Sequence, residues 1–167
     1  MLRTAVSIVL ALFGLAGAHA QSAWVDRIEI VERGIYRSEI VKSVDDPNLA
    51  AGRINVVADV RLIRPTTDVP AQVGVSFGIR YRIVGPRRGD PVSLKMVTRF
   101  PAQGLRNPAR SETHYRNDYL ASRVVGEETT RTYTFEESWE AIPGTWTFEV
   151  WQGDRKLAEQ SFNVYAP

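Results

Sequence analysis

The sequence contains no cysteine, only two methionines and two histidines, and basic and acidic residues in nearly equal number. Without cysteine it can form no disulfide, and it lacks the clustered thiolate or imidazole ligands of a structural zinc site. The formal net charge of +2 at pH 7 is too small for the strongly basic surface that nucleic-acid binding requires. Stability must therefore come from packing, and 44% hydrophobic residues with 10% aromatics suffice for one folded domain.

Motifs of common enzyme classes are also missing. The chain has no glycine-rich phosphate loop and no dinucleotide fingerprint, so the sequence predicts no cofactor and no metal site. Two acidic pairs occur, Glu127-Glu128 and Glu136-Glu137. Adjacent residues of a strand point to opposite faces, so neither pair predicts an acid–base couple. We expect a protein that is not an enzyme.

Residues 1–20 have the pattern of a secretory signal peptide. Arg3 lies in a short basic region, an apolar run follows it, and Ala18 and Ala20 fit the small-residue cleavage site. The apolar run is shorter than the roughly 20 residues that cross a bilayer, and no later segment exceeds it, so the sequence predicts no membrane span. We expect cleavage after Ala20 and a periplasmic or secreted product of residues 21–167.

Residues 21–167 predict a single all-β domain. Apolar and polar residues alternate in several segments, as in the run that places Phe77, Ile79 and Tyr81 on one face, and such alternation is typical of half-buried strands. Trp146 is in phase with its apolar neighbours and is predicted in the core. We expect about seven strands in two antiparallel sheets, an immunoglobulin-like β-sandwich without the cysteines of antibody domains. The predicted strands are 25–32, 54–62, 73–83, 92–96, 129–135, 145–151 and 157–165.

Turn residues connect some of these strands. The loop 85–91 is rich in glycine and proline and predicts a hairpin between the strands on either side, while Gly153 and Asp154 predict a turn between the last two strands. The alternation fails in 37–52 and in 102–126. The second stretch is too long for an ordinary connection, which indicates that it is partly structured or functional.

The basic segment 101–126 is the candidate binding site. Between Arg99 and Arg123 five arginines accompany two acidic residues, and arginine mixed with aromatic residues is typical of binding hot spots. The expected partner is a protein or an anionic component of the cell envelope. Alternatively, the segment folds onto the acidic residues that follow it, Glu127, Glu128, Glu136, Glu137 and Glu140. The candidate partner-binding residues are Arg106, Arg110, His114, Tyr115, Arg116 and Tyr119.

Two other functions compete with this interpretation. Trp151 is out of phase with the core, and Trp24 and Trp139 lie at strand ends. A coplanar pair of exposed aromatics would indicate a carbohydrate-binding module. Residues 74–78 match the G-x-S-x-G motif of serine hydrolases, with His114 as the available base. However, the match falls inside a predicted strand with no helix after it. The small residues at 74, 76 and 78 are better explained by the close approach of another part of the chain or of a ligand.

Three strings resemble one bacterial family. Residues 28–36 (IEIVERGIY), 69–78 (VPAQVGVSFG) and 143–148 (PGTWTF) are together similar to the family called domain of unknown function 3859. The resemblance implies an exported β-rich domain and supplies no activity, cofactor or catalytic residue. The leading hypothesis is therefore an exported, non-enzymatic binding or interaction module of the cell envelope. A purely structural role and the oligomeric state stay open.

Overall fold

The computed structural model describes residues 23–167. The predicted signal peptide, residues 1–20, and its cleavage site lie outside the described residues. In the part of the chain that is described, no helix is long and apolar enough to cross a membrane.

The described chain is built from strands, turns and loops. Eleven strands are present rather than the predicted seven, because residues 68–70, 105–106, 113–114 and 116–124 form four further strands. In chain order the strands are β1 (Arg27–Asp45), β2 (Arg53–Arg64), β3 (Asp68–Pro70), β4 (Ser76–Val84), β5 (Pro91–Arg99), β6 (Leu105–Arg106), β7 (Thr113–His114), β8 (Arg116–Val124), β9 (Glu128–Thr134), β10 (Gly144–Gln152) and β11 (Arg155–Tyr165).

The strands form two main sheets that pack face to face, as predicted. Sheet A has the order β2-β1-β4-β9, and sheet B has the order β3-β11-β10-β5-β8. All pairs in these sheets are antiparallel except β3 with β11. The short strands β6 and β7 pair with each other and form a third, two-stranded sheet. The fold class is therefore an immunoglobulin-like β-sandwich.

An aromatic cluster fills the space between the sheets. Trp146 is fully buried, which confirms its predicted place in the core. Phe77 of sheet A meets the rings of Trp146, Phe148 and Phe162 of sheet B edge to face, at centroid distances of 5.7, 5.6 and 5.2 Å. Such tilted ring pairs add to the stabilisation that comes from burying their area. This cluster holds sheet A on sheet B.

Strand β4 follows its predicted pattern with one correction. Phe77, Ile79, Tyr81 and Ile83 are buried as expected, but the strand begins at Ser76 because residues 73–74 form a turn. Gly78 lies against the neighbouring strand β9, where a Cβ atom would collide with the carbonyl oxygen of Arg131. The close approach inferred from the small residues is therefore made by the chain itself.

One predicted connection is wrong, and the two stretches in which alternation fails contain strands. Strands β4 and β5 are not a hairpin, since β4 pairs with β1 and β9 whereas β5 pairs with β10 and β8. The loop between them takes the chain from one sheet to the other. Segment 37–52 is largely strand, because β1 continues to Asp45. Segment 102–126 contains β6, β7 and the whole of β8, so the expectation that it is partly structured is confirmed. The turn at Gly153 and Asp154 is confirmed as well.

A two-stranded ribbon extends from sheet A. Residues 37–45 of β1 pair with residues 53–61 of β2, and residues 46–52 form the turn between them. We call residues 37–61 the arm and the rest of the sandwich the body. Register shifts interrupt the pairing at two places within the arm, and Asp59 has a positive φ of 50°. Such bulges bend and twist a ribbon, and the tip of the arm reaches sheet B.

Candidate functional site

A cleft of about 500 Å³ lies beside the arm. It is lined by residues of β2 in the arm, of β8 at the edge of sheet B and of β9 at the edge of sheet A. Its volume falls in the range of natural ligand sites. The lining includes the consecutive runs 53–57 and 129–134, so the backbone edges of β2 and β9 both contribute to the wall.

Strand β9 presents unpaired backbone groups to this cleft. Its hydrogen bonds to β4 are made by odd-numbered residues, since Phe135 N–H donates to Val75 O (3.0 Å) and Ile83 N–H donates to Glu127 O (3.0 Å). The register between the two strands is regular, and backbone groups of successive residues in a strand point to opposite sides. The N–H and C=O groups of Thr130, Thr132 and Thr134 therefore face the free edge.

Strand β8 supplies a second wall with mixed chemistry. Leu120 is 74% exposed although it is apolar, and it lines the cleft with Tyr119 and Arg123. The Arg123 Nη1 atom donates to the Ser122 carbonyl oxygen at 2.9 Å, whereas its Nε is buried with no hydrogen-bond partner among the described residues. The guanidinium also contacts the hydroxyl of the buried Tyr81, and no carboxylate of residues 23–167 pairs with it.

Arg131 differs from Arg123 because its side chain is already satisfied. It is buried and donates to the carbonyl oxygens of Val97 (2.9 Å) and Glu149 (3.3 Å) and to the Thr98 hydroxyl (2.5 Å). Its guanidinium carbon also lies 5.6 Å from the centre of the Tyr119 ring. Arg131 therefore ties β9 to sheet B and positions Tyr119 at the cleft.

A buried acid lies at one end of the cleft. Glu140 is 2% exposed and accepts hydrogen bonds from the Tyr133 hydroxyl (2.9 Å) and from the backbone N–H groups of Glu136 (2.7 Å) and Glu137 (2.9 Å). Burial raises the pKa of Glu140 above its ordinary value, although these hydrogen bonds act in the opposite direction. The adjacent Glu136 is paired with Arg53 of the arm, so this end is closed by contact between arm and body.

Three side chains fasten the tip of the arm to the body, and we call them the clasp. Asn117 Oδ1 accepts from the Ala50 N–H at 2.9 Å, and Asn107 Nδ2 donates to the Ala50 carbonyl oxygen at 3.1 Å. Arg110 Nη1 donates to the carbonyl oxygen of Pro47 at 2.7 Å. The guanidinium of Arg110 packs where a side chain at Gly52 would lie. The clasp therefore holds the arm beside the cleft.

The predicted site residues do not form one site. Tyr119 lines the cleft and Arg110 belongs to the clasp. Arg116 pairs with Asp118 of its own strand at 3.2 Å. The other three residues do not line the cleft. Arg106 and Tyr115 are exposed, and His114 is partly buried.

The alternative, in which the basic segment folds onto the acidic residues after it, is represented by one hydrogen bond, from Val124 N–H to Glu127 Oε2 at 3.1 Å. Among the described residues no ion pair joins 99–123 to Glu127, Glu128, Glu136, Glu137 or Glu140. Glu128 pairs instead with Arg82 of β4. Sequence reasoning missed the clasp and the cleft because both depend on the course of the arm. The signal available was the pair Asn107 and Asn117 beside the basic residues.

The features that the two competing functions require are missing from the described residues. Ser76 Oγ is buried without a hydrogen-bond partner, and so is His114 Nε2, so no serine–histidine couple is formed. Ring pairs join buried or half-buried aromatics of the core. Trp24 is exposed, and its ring centre lies 4.0 Å from the Arg155 guanidinium carbon rather than beside a second exposed ring. Within residues 23–167 no group of three acidic, histidine or cysteine side chains could hold a metal ion.

Comparison with known proteins agrees with the sandwich. The family model described as domain of unknown function (DUF3859) matches residues 25–164, which is nearly the whole described chain. The chain belongs to the DUF3859 family. The resemblance inferred from three short strings is thereby confirmed, and the match includes the arm as well as the body.

A solved structure supports the architecture of this DUF3859 domain. The chain is similar to an immunoglobulin-like protein from Pseudomonas aeruginosa, with 28% sequence identity and a TM-score of 0.58. The similarity covers 89% of this chain and all of that one. Comparison with curated proteins finds no match.

Proposed function

We propose that this DUF3859 domain is an exported, non-enzymatic binding module of the bacterial cell envelope, and that its partner lies in the cleft beside the arm. The observation that carries the proposal is the set of unpaired backbone groups on β9, which face a volume of about 500 Å³. Unpaired strand edges are normally covered, charged or shortened. An edge of this length beside an open cleft supports a role in binding.

Features of the wall support binding rather than catalysis. Arg131 and Glu140 are buried and satisfied by groups of the chain itself, so they act as supports of the cleft. Arg123 has no carboxylate partner among the described residues, and Leu120 offers an exposed apolar side chain. A wall with an apolar contact and one uncompensated cation fits a protein or an anionic envelope component.

Site-specific cross-linking tests the location of the partner. A photo-reactive amino acid placed at Leu120 in the cleft should give a discrete cross-linked product in intact cells. The same residue at Asp154, in the exposed β10–β11 turn, should give none, since this turn lies outside the cleft lining. Equal products from both positions, or none from Leu120, would show that the cleft is not the binding site.

Export has its own test. The intact mass of the protein recovered from the periplasm should correspond to a chain that begins at Gln21, because Ala18 and Ala20 fit the signal peptidase. Recovery of the chain in the cytoplasm with residues 1–20 retained would remove the envelope from the proposal and leave the cleft untouched.

A further inference from the structure

We infer that the partner of this cleft is an extended peptide segment that binds by adding a strand to the free edge of β9. The inference rests on the proposed function and specifies the class of partner. In strand addition, main-chain hydrogen bonds supply the affinity and contacts with alternate side chains supply the specificity. The described edge has the features that this mode needs.

The first feature is the spacing of the unpaired groups. Thr130, Thr132 and Thr134 are two residues apart, so their N–H and C=O groups recur about every 7 Å along the edge. An extended peptide repeats its own donors and acceptors at the same interval. A sugar ring or a small anion has no such repeat and could satisfy only part of the edge.

The second feature is that the free edge of β9 remains accessible to a partner. Strand β9 pairs with β4 alone, and β2 of the arm lines the same cleft without pairing with it. The clasp and the Arg53–Glu136 pair hold the arm near β9. The edge of β9 therefore stays unpaired although the arm is held beside it.

The third feature is the charge of the facing wall. Arg123 lines the cleft and has no carboxylate partner among the described residues, and a guanidinium binds a carboxylate more strongly than a neutral acceptor. A second copy of β9 has no free acid to offer, since Glu128 and Glu136 are already paired with Arg82 and Arg53. The structure therefore favours a different peptide that carries a carboxylate for Arg123 and an apolar side chain for Leu120.

A proline substitution separates strand addition from other binding. In Thr132→Pro the N–H that is lost is one that faces the free edge, so the ladder with β4 keeps its hydrogen bonds. Proline is tolerated in edge strands at such positions. Thr132→Ala is the matched control, because it removes the side chain and keeps the N–H. Melting curves of both variants establish that they are folded.

The probe is a library of short linear peptides displayed on phage and selected on the purified mature protein. A selected peptide should bind the wild type and Thr132→Ala about equally and should lose about tenfold in affinity for Thr132→Pro, which corresponds to roughly one hydrogen bond. Arg123→Ser should weaken peptides that contain a carboxylate. Equal affinity for Thr132→Pro and Thr132→Ala would overturn strand addition.

Hydrogen exchange gives a second measurement that needs no variant. The amides of Thr130, Thr132 and Thr134 should exchange fast in the free protein and become protected together when a selected peptide is bound. Protection elsewhere, or no selected peptide at all, contradicts the inference. A cross-link from Leu120 that forms equally in Thr132→Pro cells would retain the cleft as the site and reject the peptide strand. Loss of every cross-link from wild-type cells would reject the proposed function itself.

Discussion

Strand β4 in the body and the outer part of β1 in the arm are similar in composition and opposite in burial. In β4, Ile79 and Ile83 are at most 1% exposed, whereas in the arm Ile40 is 48% and Val41 is 60% exposed. Both segments are rich in β-branched residues, which favour extended backbone. The strand at 37–45 forms because it pairs with β2. Burial requires a second layer, and no sheet covers the outward side of the arm.

This difference in burial indicates that the body and the arm have separate roles. Aromatic packing between the sheets stabilises the body, while polar contacts at the tip and at Glu136 hold the arm. Buried area contributes far more to stability than a few hydrogen bonds do. We therefore expect the body to determine the free energy of unfolding and the arm to determine access to the cleft.

The largest expected effect is in the aromatic cluster. Trp146→Ala should lower the free energy of unfolding by about 3 to 5 kcal/mol, because it removes a fully buried ring and leaves a cavity. Ser76→Ala should be mild, since the buried Ser76 hydroxyl has no hydrogen-bond partner to lose. Denaturant melts of both variants measure this. If Ser76→Ala proves the more damaging change, the core is wrongly described.

A matched pair of isoleucines tests the comparison itself. Ile79→Ala in the body should cost about 2 to 5 kcal/mol, and Ile40→Ala in the arm should change stability by less than about 0.5 kcal/mol, as exposed positions do. Chemical denaturation of the two single variants is sufficient. Similar costs would mean that the arm has a hydrophobic packing partner in solution.

Loosening the clasp should have a smaller and local effect. Asn117→Ala leaves the buried Ala50 N–H without its acceptor, which costs about 1 to 3 kcal/mol if the tip stays closed and less if it opens to water. We expect the Ala50 amide to exchange faster while the core amides change little. Arg106→Ser, an exposed neighbour, is the control. Uniformly faster exchange throughout the core would show that arm and body unfold as one unit.

The smallest effect concerns the pH dependence contributed by Glu140. Its pKa is raised in the fold, so the folded state binds the proton more tightly than the unfolded state does. Glu140 therefore favours folding most at low pH, and this contribution is lost as the pH rises from the ordinary carboxyl pKa through the raised one. The stability of the wild type relative to Glu140→Gln should fall over that interval in denaturant melts. A relative stability that rises with pH would contradict the raised pKa.

The sequence predicted the body better than the arm, for a physical reason. A strand with one buried face shows alternation of apolar and polar residues, so β4 and β10 could be predicted from the sequence. The turn at 153–154 could be predicted from its residue types. Residues 37–45 have no dry face, and their pattern resembles a loop. Alternation also carries no information about which strands pair, which is why β4 and β5 were expected in one hairpin.

The candidate site was predicted only in part. The basic segment does contain Tyr119, which lines the cleft, and Arg110, which holds the arm. The sequence predicts that its arginines form one basic patch, but Arg116 pairs with Asp118 of its own strand. The cleft is formed by strand edges that are distant in sequence. The backbone groups of Thr130 and Thr132 could not be identified as unpaired before the sheet order was known.

The position of the clasp in the chain also sets an order of assembly. Residues 37–61 are synthesised well before Asn107, Arg110 and Asn117, which bind the tip of the arm. Strand β9, the other side of the cleft, follows later still. A chain that is synthesised from its N-terminus must carry the arm as an unsupported ribbon until residue 117 has followed, and aliphatic residues exposed in that interval favour aggregation. The arm is therefore the part of the molecule that is most exposed to aggregation while the chain is being made.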